Sequence, residues 1–402
     1  MKLIKNITIV WEQEEIGGVD SYLIYLLKSN FFSKLDITII TNQNNNALTR
    51  LQNELLNVNF IIYKNFFKSK KFFIKIMNYI FVPIFFFFNI FRFRKILKKV
   101  NSDVVLFQCG NYGYLRSEQA AILACIGLNI PVKTLVVHHA CRKPPIFQSF
   151  IIKFIDFFIT KILSSLILVS YATKKTFFFN STLLDSGKLE TLVIHNGVPK
   201  SNLVRENYLH SIINIDKKKI RLGMLSRMEE NKGFSDLLTA FSLLEKDIQD
   251  NFVILIVGKN NKKVLEKLEK IANNLNIFDK VFFLDFVKID SKKILSSFDL
   301  FFSLTKTYEG FGLSLAEAMS VGTPAVSTNV GAISEFFDEN CGKIIKPGDI
   351  REISNAISDF YANRENWIKK AAYARQKIND NFSDYKMSED YKNYILSKFN
   401  SY

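Results

Sequence analysis

Two doubly wound parallel α/β sheets in tandem are what this 402-residue sequence predicts. Three observations carry that expectation. Short apolar, strand-like runs alternate with longer helical stretches along the whole chain, the pattern of parallel βαβ units. The length exceeds what a single compact core usually fills, so two domains of roughly 150–200 residues each are expected. A polar, irregular stretch at 200–216 separates two halves that each repeat the alternation.

In the first half, 7–11 reads as a strand, Gly17-Gly18 as the turn after it and 21–28 as a helix. Further strands are expected at 35–41, 103–108, 133–137, 166–170 and 191–194. The second half places strands at 220–226, 252–257, 281–285, 300–303 and 325–328, with helices at 234–245, 262–274 and 313–320. The expected domains are 1–199 and 217–402, joined by the linker 200–216, with the last helix packing back towards the first domain. Ligands of open parallel sheets bind beyond the carboxyl ends of the strands. A site between the two halves is therefore expected.

Composition narrows the class. The chain is 48% hydrophobic and 23% charged, which suits a globular protein. Cys109, Cys125, Cys141 and Cys341 are scattered without a CxxC pair, so a reducing compartment fits best. The N-terminus has a short apolar run followed at once by Glu12, Glu14 and Glu15, unlike a secretory leader. A cytoplasmic protein is expected.

The formal charge of +16 sits almost entirely in residues 1–200, which hold 25 Lys/Arg against 11 Asp/Glu. Such a one-sided excess points to an anionic partner surface. Within it, IMNYIFVPIFFFFNIF at 76–91 is flanked by Lys68, Lys70, Lys71 and Lys75 and by Arg92, Arg94, Lys95, Lys98 and Lys99. Nucleic-acid patches rarely carry so much unbroken Phe and Ile, whereas membrane-surface helices do. The run is shorter than the ~20 residues a span needs and contains Asn78, Pro83 and Asn89. Lys71, Lys75, Asn78, Asn89 and Arg92 fall on one helical stripe, with a kink expected at Pro83. Interfacial contact of 72–99 with an anionic membrane is favoured over a buried helix pair and over a span.

Two segments carry chemistry. Glu309-Gly310-Phe311-Gly312-Leu313 follows a strand and opens a helix that contains Glu317. Glycines there let backbone approach a ligand, and a helix start attracts phosphate. Carboxylates such as Glu309 and Glu317 accept hydrogen bonds from ribose or hexose hydroxyls. The plain alternative is a helix start whose dipole favours Glu309, with Glu317 a solvated helix residue. Arg227 and Lys232 lie in a strand-to-helix loop, 223–233, placed to meet a diphosphate as a fork and a point charge. Taken singly, such residues are more often surface charges.

Together with His195-Asn196-Gly197-Val198, these segments resemble the retaining glycosyltransferases of family 4, which have the GT-B fold of two Rossmann-like domains. Gly17-Gly18 resembles the family's N-terminal glycine loop. Gly331-Ala-Ile-Ser-Glu335 resembles its VGGxxE segment, with Ala332 in place of the second glycine. The resemblance implies that Glu309 contacts the donor sugar, Glu317 the ribose, and Arg227 and Lys232 the diphosphate. It implies a donor-contacting histidine after a mid-domain strand, His138 or the adjacent His139, with His138 favoured. His195 is read as ordering the chain there rather than reacting.

The implied reaction moves a sugar from a UDP- or GDP-sugar to a saccharide or lipid-linked acceptor with retention, as in bacterial surface-polysaccharide assembly. Without an Asp-x-Asp at the phosphates, no metal and no cofactor are expected. The implied location is the inner face of the cytoplasmic membrane. Rival classes are a nucleotide-sugar epimerase and a non-catalytic membrane- or nucleic-acid-binding protein; nucleic acid is not expected as a partner.

Overall fold

The computed structural model describes residues 3–12, 16–42, 46–63, 72–113, 116–144, 146–185, 187–203, 206–209, 212–259, 261–285 and 289–402. Glu14, Glu15, Lys68, Lys70 and Lys71 lie outside them. The chain forms two compact units, Met1–Gly197 with Asp384–Tyr402, and Val198–Ser383.

The first unit is built on strands β1 (Asn6–Val10), β2 (Asp36–Asn42), β3 (Val58–Tyr63), β4 (Val104–Cys109), β5 (Val132–Val137), β6 (Ser165–Leu168) and β7 (Glu190–Val193). They make a parallel sheet in the order β3-β2-β1-β4-β5-β6-β7. The connecting helices are α1 (Gly18–Leu27), α2 (Asn46–Glu54), α3 (Phe72–Val100), α4 (Ser117–Leu123), α5 (Ile146–Ile162) and α6 (Tyr171–Asn180). Central strands buried on both faces read as unbroken apolar runs. Thus VVLFQC of β4 is buried at every position, while the edge strands β3 and β7 are half-exposed.

The second unit holds β8 (Ile220–Leu225), β9 (Phe252–Val257), β10 (Val281–Leu284), β11 (Leu300–Ser303), β12 (Ala325–Thr328) and β13 (Lys343–Ile345), in the parallel order β10-β9-β8-β11-β12-β13. Its helices are α7 (Phe234–Ser242), α8 (Lys246–Gln249), α9 (Lys262–Asn274), α10 (Ser291–Ser296), α11 (Leu313–Val321), α12 (Ile333–Phe336), α13 (Ile350–Ala362) and α14 (Arg364–Asn381). Both sheets are doubly wound, as the sequence predicts.

The expected strands all form. β3 and β13 were not expected: the first is a half-exposed edge with a broken apolar pattern, and the second has only three residues. The stretch 200–216, expected as a linker, falls in the second unit. There Leu209 is buried and Tyr208 N donates to Ser297 Oγ at 2.9 Å. Residues 204–205 and 210–211 lie outside the described residues.

α3 runs unbroken through Pro83. Of the expected polar stripe, Lys71 and the side chains of Lys75 and Asn78 lie outside what is described, and the outward face beyond them differs from the expectation. Asn89 and Arg92 are half-buried, whereas Ile84, Phe87, Phe88 and Phe91 are exposed. The inward residues Phe86, Phe93 and Leu97 fill the core, so Asn89 and Arg92 are displaced to the helix flank. Among the described residues, no helix is long and apolar enough to cross a membrane.

The last helix, α15 (Asp384–Asn400), belongs to the first unit. It is fixed by buried hydroxyls. Tyr22 OH donates to Tyr391 OH at 2.7 Å, and Tyr394 OH meets Thr134 Oγ1 at 2.5 Å and also Ser165 Oγ. Such groups are costly to leave unpaired. Tyr394→Phe strands two buried hydroxyls, and a loss of about 1–3 kcal/mol is expected, read as a lower urea midpoint with an unchanged slope.

Candidate active site

The strand order of the second unit reverses between β8 and β11, because β9 and β10 lie on one side and β12 and β13 on the other. No crossover covers the sheet edge at such a point, which is where open α/β sheets bind ligands. The loops that leave β8 and β11 there carry Arg227 and Lys232, and Thr305 and Glu309.

Lys232 ends a 3₁₀ turn, Glu230–Lys232, and Gly233 follows at φ +77°, a left-handed conformation. A Cβ on Gly233 would stand 2.3 Å from Leu304 O, so the two loops approach at van der Waals distance. Lys306 N donates to Asn231 O at 2.8 Å, and Lys306 Nζ pairs with Asp236 at 2.7 Å. Pinned in this way, Lys232 Nζ reaches Glu309 Oε1 at 2.5 Å and Thr305 Oγ1 at 3.3 Å. Thr305 Oγ1 donates to the same Glu309 oxygen at 2.6 Å. Lysine, threonine and carboxylate form one partly buried cluster. Lys232 is therefore no free surface charge.

Arg227 is half-exposed and pairs with Glu229 at 3.1 Å. An ion pair so open to water contributes little to stability, and its guanidinium is available to an anion at small cost.

Downstream, Gly312 at φ +98° turns the chain into α11. Gly312 is its N-cap residue and offers no side chain to cap this helix, and its first turn has no acidic residue. The first N–H groups of a helix and the positive end of its dipole suit an anion. Phe311 stacks on Phe336 at 4.9 Å, and Phe382 borders both rings. Gly331, at φ +58°, lies so close to Glu309 that a Cβ would stand 2.0 Å from its carbonyl oxygen. Ala332 N also donates to that oxygen at 3.0 Å. The Gly331–Glu335 segment thus fixes the backbone from which Glu309 projects. Glu317 sits within α11 and is only 4% exposed, so it is not a solvated helix residue.

The first sheet has its own reversal, between β1 and β4. Gly17 and Gly18 lead from β1 into α1, and Gly17 N donates to Asp20 Oδ1 at 2.6 Å. Asp20 is buried and paired with Arg50 at 2.5 Å; burial raises its pKa despite that cation. His138 follows β5, and its Nε2 lies 2.7 Å from Gln108 Oε1 at the end of β4. Since Oε1 can only accept, Nε2 carries the proton. Tyr22 meets the imidazole edge-on at 4.7 Å. Burial pushes the His138 pKa down to about 3, so the ring is neutral at physiological pH. His139 is half-buried beside it.

In the HNGV segment, His195 faces Tyr171 at 5.6 Å and Gly197 N donates to Met387 Sδ at 3.2 Å. Asn196 is buried, and its Oδ1 has no hydrogen-bond partner among the described residues. The structure thus joins Lys232 to Glu309 directly and places Arg227, Gly310, Phe311, Gly312, Leu313 and Glu317 around the same reversal. Gly17, Gly18 and His138 gather at the reversal of the other sheet.

Thr305, Gln108 and Tyr22 were not singled out from the sequence. Two of them left a signal: Gln108 is polar within a wholly buried strand, and Thr305 stands four residues before Glu309 in one loop.

Residues 206–377 match the family described as glycosyl transferases group 1, a span that contains the whole Lys232–Glu309 cluster. The O-antigen biosynthesis glycosyltransferase WclY of Escherichia coli is 22% identical over 210 residues, 52% of this chain and 56% of that protein. The chain spans about half the length of the curated relatives it matches first. Among solved structures, a glycosyltransferase from Rickettsia africae superimposes with a TM-score of 0.77 at 19% identity, over 98% of each chain. Anabaena Alr3699/HepE in complex with UDP and glucose does so at 0.75 and 16%, covering 98% of this chain and all of that one. The two Rossmann-like domains therefore make up the GT-B fold.

The buried His138 gives a pH prediction. Its folded pKa lies below the ordinary value near 6.5, so stability is intact above 6.5 and is lost as pH falls from there towards 3. Denaturant midpoints measured from pH 7 to 4 should fall more steeply for the wild type than for His138→Gln. The His138 ring proton resonances should not titrate between pH 8 and 5.

Proposed function

We propose that the protein is a glycosyltransferase that moves a sugar from a nucleoside-diphosphate sugar, with UDP or GDP as the nucleotide, to a saccharide or lipid-linked acceptor with retention. The observation that carries this is the Lys232–Thr305–Glu309 cluster beside the glycine-led start of α11, at the strand reversal of the second sheet. The family match over 206–377 supports it, as does the fold shared with a UDP- and glucose-bound protein.

When the bond between the sugar C1 and the β-phosphate oxygen breaks, negative charge grows on that oxygen. Lys232, Arg227 and the α11 N–H groups supply fixed positive charge, and each such donor contributes roughly 2.7–4 kcal/mol by analogy with oxyanion holes. The acceptor hydroxyl forms the new C1–O bond on the face the diphosphate leaves, and its proton passes to the departing phosphate oxygen. Glu309 and Glu317 accept hydrogen bonds from sugar and ribose hydroxyls respectively. His138, neutral and buried, suits a hydrogen bond to a sugar hydroxyl rather than proton transfer. Fixed protein cations take the place of a metal, and no cofactor is required.

The acceptor reading, in surface-polysaccharide assembly, is supported by WclY. The exposed stripe Ile84, Phe87, Phe88 and Phe91 leads into Lys95, Lys98 and Lys99, which supports peripheral binding of α3 to an anionic, cytoplasmic membrane face.

A nucleoside diphosphate at 100 times its Kd should add about 2.7 kcal/mol of stability. In thermal-shift titrations with UDP and GDP, Lys232→Ala should weaken binding by roughly ten- to hundredfold, the worth of one charge-assisted hydrogen bond. Glu309→Gln should retain diphosphate binding but lose the extra stabilisation given by the sugar conjugate. Turnover should survive EDTA. Unchanged binding by Lys232→Ala would contradict the assignment of the diphosphate site.

A further inference from the structure

α5 is apolar on both sides. Its inward stripe, Ile152, Ile155 and Ile159, fills the core of the first unit. Its opposite stripe, Phe150, Ile151, Phe154, Phe157 and Phe158, is exposed, with Phe150 81% and Phe154 60% accessible. At about 100° per residue these five positions span an arc of about 120° whose centre lies roughly 130° from that of the buried stripe. A solvent-facing helix would fill that arc with charges. Five large apolar side chains on one arc mark an interaction surface.

Parallel crossovers of one hand set α3, α4, α5 and α6 on the same face of the sheet, and all four contribute to one core cluster. The short α4 packs against both α3 and α5. The outward stripe of α3 and that of α5 therefore face the same way, and Phe178 and Phe179 of α6 extend the surface. Charge selects the partner. α3, α5 and α6 together hold ten Lys/Arg and a single acid, Asp156. That acid is buried and accepts hydrogen bonds from Tyr112 and Thr182. Lys161 lies over the Phe157 ring at 4.0 Å, its stem along the aromatic surface. Two copies of such a face would repel each other, whereas an anionic bilayer meets both its rings and its cations.

We propose that α5 docks beside α3 on an anionic lipid surface, with Phe150, Phe154, Phe157 and Phe158 entering the headgroup–acyl boundary. This rests on the membrane reading of α3 and enlarges it from one helix to a two-helix platform.

Phe154→Trp supplies a direct probe, since the native Trp11 and Trp367 are buried and give a constant background. With vesicles of phosphatidylcholine and phosphatidylglycerol at low salt, its emission should shift to the blue and be quenched by brominated acyl chains. In co-sedimentation, Phe154→Ser/Phe157→Ser should lower the vesicle partition coefficient by at least about tenfold, while Phe87→Ser/Phe88→Ser reports on α3 alone. Unquenched emission from the Phe154→Trp variant, with binding lost only in the α3 variant, would overturn the platform and leave α3 as the sole contact. Loss of binding in neither variant would overturn both. A wild type that is dimeric by light scattering and becomes monomeric in the α5 variant would assign the face to a second copy. UDP and GDP thermal shifts, unaffected by these substitutions, test the donor site separately.

Discussion

In a parallel sheet the strands all end at the same edge, and the fold gives up cover at the one place where the strand order reverses. Both units of this protein obey that constraint, and each sets candidate polar side chains at its reversal. In the second unit the gap is closed by chemistry rather than by a crossover: Lys232, Thr305 and Glu309 bind one another across it. The loops that bear them are held by close backbone approaches at Gly233 and Gly331, where any side chain would collide with a carbonyl.

The same constraint explains the different treatment of charge in the two units. At the second sheet's reversal, Lys232 and Glu309 pair with each other and remain partly open to water. At the first, His138 is sealed by Gln108 and Tyr22 and stays uncharged, and Asp20 is sealed by Arg50. A neutral imidazole beside a glycine turn suits sugar hydroxyls, and a charged cluster beside a helix start suits a diphosphate.

Much of the fold was legible because buried parallel strands write themselves as short apolar runs, as in FVILIV of β9 and VVLFQC of β4. The edges were not, since β3 is half-exposed and β13 is too short to show a period. The candidate residues Arg227, Lys232, Glu309 and Glu317 stand out in the sequence by their placement between a strand and a helix and by the family resemblance. That Lys232 and Glu309 bind each other was not, because their contact joins loops 77 residues apart. The outward face of α3 was misjudged for a related reason. A helix with apolar residues on every side gives no periodic signal, and only the core shows which side is turned in.

Hydrogen–deuterium exchange with saturating UDP or GDP tests the central claim most directly. If the diphosphate lies at the second sheet's reversal, the amides of Lys232–Gly233 and of the first turn of α11, Leu313 to Leu315, should gain protection, and Lys232→Ala should raise the ligand concentration needed for it by roughly ten- to hundredfold. Protection confined to other segments, or unchanged in Lys232→Ala, would contradict the placement of the donor site.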